Sequence, residues 1–237
     1  MVAVRPWGVA LLALVLLPGT AWAQPAPPVE VEGATYAELD DRSGVWTLRG
    51  SPVAVRRGVV TVQAPVLTYD RRAGVVRATG GARYTDEELS VDAPQIAVWL
   101  EDERMLADGG VAAEQRPERR RLVAARLEVF RRERRLVATG TPVVTGPEGR
   151  LAADRIEAFG EREEITAEGD GRFVYEEIDG RAPRITLRRR PATATLTGGA
   201  VVRQGPHEVR AQTITVELER RRIVASGQAM ITVQPVR

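Results

Sequence analysis

The stretch LAADRIEAFGEREEITAEG, residues 151–169, decides the fold. It contains an anchor, Ala153, and closes on Gly169, 16 residues later. Between the two stand apolar residues Ile156 and Ala158, the charged run Glu161-Arg162-Glu163-Glu164, and apolar Ile165 and Ala167. Within each half the apolar spacing is two, the strand period, in which alternate side chains share one face. The stretch reads as two strands joined by a charged turn.

The same unit recurs along the chain. Its anchors are Ala64, Ala93, Ala124, Ala153, Ala182 and Ala211, and its glycines are Gly80, Gly109, Gly140, Gly169, Gly198 and Gly227. Each series steps by 29, with one step of 31, and a degenerate copy precedes them at Ala34 and Gly50. A fixed period of this size marks a repeat architecture whose units stack to share one core. The expectation is an all-β fold of about seven 29-residue two-strand units.

Three residues after each anchor stand Leu67, Ile96, Leu127, Ile156, Ile185 and Ile214. An odd step reverses facing unless a bulge absorbs a residue, so a kink is expected just after each anchor. Pro65, Pro94 and Pro183 occupy the next position in three copies, which suits a point with no ladder donor. The glycine of each unit is expected to open the following turn, where positive φ is tolerated. The longer step falls in the turn Glu114–Arg119, which leaves the strand register intact. Residues 119–135 are the segment nearest to a helical pattern, but the repeat places a strand pair there.

Residues 1–23 read as a cleaved secretory signal: Arg5, an apolar run from Val9 to Leu17, a break at Pro18-Gly19 and a small-residue site at Ala21-Trp22-Ala23. The apolar run falls short of the ~20 residues of a membrane span. A Pro-rich lead-in covers 24–30, and 31–237 is expected to be one repeat domain. There is no cysteine, so neither disulfides nor thiolate metal sites enter. The chain has no lysine and no asparagine; its 34 basic residues are all arginine, against 32 acids. That balance makes a strong net field, and with it nucleic acid as a partner, a poor reading.

Little in the chain resembles catalytic chemistry. His207 is the sole histidine, placed in the turn 204–207, with no nucleophile motif beside it, so neither a triad nor a His-based metal site is expected. The recurring acids Asp70, Asp102, Glu103, Glu163, Glu164 and Glu219 read as a solvated rim of turns. No cofactor is expected. The arginine runs 119–121, 131–132, 134–135 and 188–190 read either as solubilising turns or as grips for a phosphorylated glycolipid headgroup. The apolar series reads either as filled core or as the lining of an apolar trough. The small alanines in it leave space that favours the trough.

The unit Ala-x-x-(Leu/Ile)-x-apolar, charged turn, apolar-x-Ala-x-Gly resembles the OstA-like, or LptA-type, repeat of lipopolysaccharide transport. It stands as Ala64-Pro65-Val66-Leu67-Thr68-Tyr69-Asp70 ending in Val76-Arg77-Ala78-Thr79-Gly80, and again from Leu151 to Gly169. The resemblance spans about residues 31–233. It implies a semi-open β jelly roll, a folded antiparallel sheet of V-shaped section, whose interior holds the acyl chains of lipopolysaccharide or a related glycolipid. The groove would be lined by Val62, Leu67, Val91, Ile96, Leu122, Leu127, Leu151, Ile156, Ile185 and Ile214. It implies a periplasmic, non-enzymatic bridge protein. Copies would join through edge strands near Val31–Leu39 and Ala229–Val236, and link an inner-membrane exporter to an outer-membrane translocon. The absence of a P-loop agrees with ATP being used elsewhere. Other readings are an inner-membrane-anchored component of the same system, a repeat scaffold that binds no lipid, and a lectin-like module.

Overall fold

The computed structural model describes residues 27–116, 119–147 and 149–233, so the expected signal segment lies outside the described residues. The chain is all-β. Its strands are β1 (Glu30–Asp40), β2 (Val45–Arg57), β3 (Val60–Asp70), β4 (Val75–Thr85), β5 (Leu89–Trp99), β6 (Arg104–Gln115), β7 (Arg120–Phe130), β8 (Arg135–Thr139) and β9 (Val143–Gly146). They continue as β10 (Gly149–Ala152), β11 (Arg155–Phe159), β12 (Glu164–Tyr175), β13 (Ile178–Arg188), β14 (Thr193–Gln204), β15 (His207–Glu217), β16 (Arg222–Ser226) and β17 (Met230–Thr232).

Every pairing is antiparallel. The sheet is a meander in which β1 to β7 pair in order, and β12 to β15 likewise. Three positions carry split strands: β8 and β9 both pair with β7, β10 and β11 both with β12, and β16 and β17 both with β15. Each split pair is one bent strand interrupted at its bend. Residues 119–135 are β7 and its turn, and no helix appears among the described residues.

The bend is where the odd apolar step sits. Ladder register shifts between Gln63 and Val66, between Asp92 and Gln95, and between Arg181 and Arg184: the following strand spans each gap with one residue more, and the anchor pairs only with the preceding strand, Ala64 with Val53 and Ala93 with Ala82. The bulge restores facing, and Ala64 and Leu67 are both buried, as are Ala93 and Ile96. The repeat glycines sit at this crease and not in the hairpin turns, which corrects the expectation that they open turns. Their positive φ is real: Gly80 has φ 87° and Gly109 φ 90°. The crease needs it because the glycine lies over the residue that follows the anchor on the neighbouring strand. A Cβ on Gly109 would stand 3.3 Å from the Pro94 ring. The hairpin turns instead put charged residues into the left-handed region, as at Glu103 (φ 51°) and Arg134 (φ 47°).

The creases fold the sheet into a V, with one half of each long strand, or one member of each split pair, in each arm. One lip carries the turns 41–44, 71–74, 100–103, 131–134, 160–163, 189–192 and 218–221; the other carries the connections β2–β3, β4–β5, β6–β7, β9–β10, β12–β13 and β14–β15. The inner faces meet as an apolar core in two clusters, one from Leu48 to Ala138 and one from Leu151 to Leu218, with Val144 packed against both. Each fully buried Leu or Ile contributes ~1.5–3 kcal/mol. Strand β1 lies beyond the core, exposed throughout except at half-buried Leu39. The degenerate first copy therefore keeps the repeat's hydrogen bonds and loses its burial.

Candidate functional site

The ten residues expected to line a groove all face the inside of the V, and none is more than 7 % exposed. Along most of the length the arms close on one another through these side chains. Of the ten, Leu122 and Ile156 border open space. That space is a cavity of about 410 Å³ at the mouth of the V, within the 300–1,000 Å³ typical of ligand pockets. Its floor is apolar, built from Leu89, Leu122, Leu136, Val144, Ile156, Ile165, Leu187 and the rings of Phe130 and Phe159.

The rim is basic. Arg120, Arg121, Arg131, Arg134, Arg135, Arg188 and Arg189 line it, against Asp86, Glu88, Glu163 and Glu164. Four arginine runs separated in sequence are thus gathered round one opening by strand stacking: Arg120 and Arg121, at the start of β7, stand on one lip, and Arg131, Arg134, Arg135, Arg188 and Arg189 on the other. Several carboxylates hold these arginines in place. Arg188 Nε donates to Glu164 Oε2 at 3.0 Å, and Arg135 donates to Glu133 Oε2 at 2.8 Å and Glu157 Oε1 at 3.0 Å. Arg135 also stacks 4.2 Å above the Phe130 ring, and Arg162 the same distance above Phe159. Arg132 is not among the residues that line the cavity and donates to the Glu101 carbonyl at 2.5 Å.

Ion pairs cross the mouth from lip to lip. Arg57 Nη1 reaches Glu101 Oε1 at 2.9 Å, Arg131 pairs with Asp86, and Arg221 Nη2 reaches Glu176 Oε2 at 2.8 Å. Each joins one connection to the second turn further along the chain, a separation of 44 or 45 residues. The Asp86 clasp is the built one. Asp86, 7 % exposed, is the buried acid among the described residues, and it accepts from the Tyr84 hydroxyl at 2.7 Å and from the Glu88 and Leu89 amides at 2.8 Å. Burial, and then the bond to Asp86, pushes the Tyr84 phenol well above its ordinary value, so it stays a neutral donor. A buried carboxylate with this many donors is the satisfied form of an otherwise costly group.

Sequence reasoning missed this network and the aromatic stacks. A usable signal was present: Tyr84 and Asp86 are two apart on one strand face, and Asp86 lies outside the repeat's charged turns. His207 is not in an exposed turn as expected. It begins β15, half-buried, and its Nδ1 has no hydrogen-bond partner among the described residues. Groups of three or more metal-ligating side chains do not occur among the described residues. Nor does any described helix have the length and apolarity to cross a membrane.

No curated protein matches the chain. Among solved structures it is similar to LptH from Pseudomonas aeruginosa, the LptA homologous periplasmic component of the conserved lipopolysaccharide transport device. The two are 16 % identical over 88 % of this chain and 96 % of that one, with a TM-score of 0.24. Residues 31–222 match the family described as LptA/(LptD N-terminal domain) LPS transport protein. With most of its length inside that match, the chain belongs to the LptA/LptD N-terminal-domain family, a family of lipopolysaccharide-transport proteins and not of enzymes.

Proposed function

We propose that this chain is a periplasmic carrier that shields the acyl chains of lipopolysaccharide, or a related glycolipid, between the arms of its V. The observation that carries the reading is the cavity: an apolar floor continuous with the interior of the sheet, under a rim of seven arginines. That is the chemistry of a phosphorylated, multiply acylated amphiphile. Acyl chains would lie against Val62, Leu67, Val91, Ile96, Leu122, Leu127, Leu151, Ile156, Ile185 and Ile214, each methylene removed from water contributing ~0.8 kcal/mol. Because these side chains now pack on one another, uptake requires the arms to part. The exposed clasps oppose that only weakly, since such pairs are worth ~0–1 kcal/mol.

Export through the segment 1–23 would deliver the chain to the periplasm. The edges suit end-to-end joining of copies, and of this chain to an inner-membrane exporter and an outer-membrane translocon. Strand β1 leaves Val31 and Tyr36 exposed, and Met230 and Ile231 stand 66 % and 62 % exposed at the other end. Removing residues 231–237 should leave monomers in sedimentation velocity. Oligomers that persist would move the assembly contact to another surface.

The closed packing of the ten interior residues favours a second reading, a filled repeat scaffold of the envelope that takes no lipid. Native mass spectrometry of the mature chain separates the two. The carrier keeps or takes up an acylated, phosphorylated adduct; the scaffold stays at its bare mass in the presence of purified lipopolysaccharide.

A further inference from the structure

Each unit places one residue at the same point, seven after its anchor, where the first-lip turn begins: Arg71, Leu100, Arg131, Gly160, Arg189 and Leu218. Leu100 packs against the N-terminal core, Leu218 is 6 % exposed, and Arg131 crosses to Asp86. These side chains cover the mouth at their own levels, Leu100 away from the cavity and Arg131 and Leu218 at its edge. Gly160 has none, and it borders the cavity. Its φ lies outside the left-handed region, so the turn does not require glycine there. What the glycine supplies is room. The Arg134 side chain lies across it, and a Cβ on Gly160 would stand 3.3 Å from Arg134 Nε.

Arg134 differs from its neighbours on the rim. Arg135 and Arg188 are engaged by Glu133, Glu157 and Glu164, and Glu163 lies within 4 Å of Arg189 and Arg190. The Arg134 guanidinium, exposed at the lip, makes no hydrogen bond or ion pair among the described residues. A planar guanidinium with all its donors available matches a phosphate monoester bidentately. Directly beneath it lies the apolar floor of Leu122, Val144, Ile156, Ile165 and Leu187.

We propose that the mouth at Gly160 is a lateral portal, where a phosphorylated acyl glycolipid enters or leaves the V with its acyl chains on the cavity floor and a phosphate on Arg134. The proposal rests on the carrier reading and adds to it a place along the V and a residue for the headgroup. The lipid crosses sideways at one unit, where the plug is missing; the Asp86–Arg131 clasp bounds the opening on its rim, and the clasps at Arg57–Glu101 and Glu176–Arg221 hold the mouth elsewhere.

The test titrates the mature chain with bisphosphorylated lipid A and with its dephosphorylated form, reading bound lipid by native mass spectrometry and folding by thermal melting. Gly160→Leu installs the residue that Leu100 and Leu218 supply at the same point of other units. It should melt like the parent and take up both lipids at least about tenfold more weakly, the scale set by ~1.4 kcal/mol of lost contact. Arg71→Leu, the same position in a unit away from the cavity, should bind like the parent. Arg134→Gln changes only an exposed side chain, so it tests the site even if Gly160→Leu does not fold. It should weaken the bisphosphorylated lipid about tenfold, as for one charge-assisted bond, and leave the dephosphorylated one unchanged. Parental uptake by a folded Gly160→Leu overturns the portal, and equal weakening of both lipids by Arg134→Gln overturns the phosphate contact. A parent chain that takes up neither lipid overturns the carrier reading itself.

Discussion

Two neighbouring stretches of the V are built from the same repeat and end up different. From β4 to β7 the strands run 11 or 12 residues straight through the crease, and the mouth above them is held by the Asp86 clasp. From β8 to β11 the strands are four or five residues long and break at the crease, and the cavity opens beside them. A few substitutions account for the change. The first stretch turns its crease with Gly80-Gly81 and Gly109-Gly110, whose following residues Ala82 and Val111 rejoin the ladder. The second uses Gly140-Thr141-Pro142, and a proline has no amide hydrogen to give. At the lip, Arg131 is followed one unit later by Gly160. The repeat fixes the path of the chain, and single residues at crease and lip decide whether a given unit is shut or open.

The largest effect should separate a closed level from the cavity. Ile96→Ala, in β5 and 2 % exposed, should cost about 4 kcal/mol of stability, as for a fully packed core aliphatic. Leu136→Ala, in β8 on the cavity wall, should cost about half of that, because part of its surface already faces open space. Equal shifts in urea midpoint would mean that the V packs as tightly at β8 as at β5, and the comparison would break.

A smaller effect should separate the clasps. Arg131→Met leaves the 3 % exposed Asp86 side chain without its cation, and about 2 kcal/mol should be lost even though three donors remain. Glu176→Gln weakens a clasp whose partners are 47 % and 68 % exposed, and should move stability by less than about 1 kcal/mol. If the two variants unfold at the same urea concentration, the Asp86 network is no stronger than a surface pair.

The sequence displayed the strands because a period of two is local: the alternation Ile214-Thr215-Val216-Glu217 is visible without any partner. The kink after each anchor was visible as an odd apolar step, and the ladder shows the bulge that absorbs it. The glycines were misplaced because a left-handed residue fits a turn and a crease equally well by itself. What favours the crease is the close approach of a residue 15 positions earlier, Pro94 for Gly109, on the adjacent strand. The candidate site was half legible. The ten apolar positions are all buried, though only Leu122 and Ile156 line the cavity, and the arginine runs were noticed, but nothing local said that they share an opening. Asp86 was overlooked since its partner, Arg131, is 45 residues away.

By itself the sequence determined the all-β class, the 29-residue unit, the inward apolar set and the absence of cysteine chemistry, because each follows from spacing and composition along one chain. Only the tertiary structure decided which arginines meet, which acid is buried and where the mouth stands open. Those depend on folding each unit at its crease, which sets one lip against the second turn further along the chain, and that offset is a property of the folded sheet.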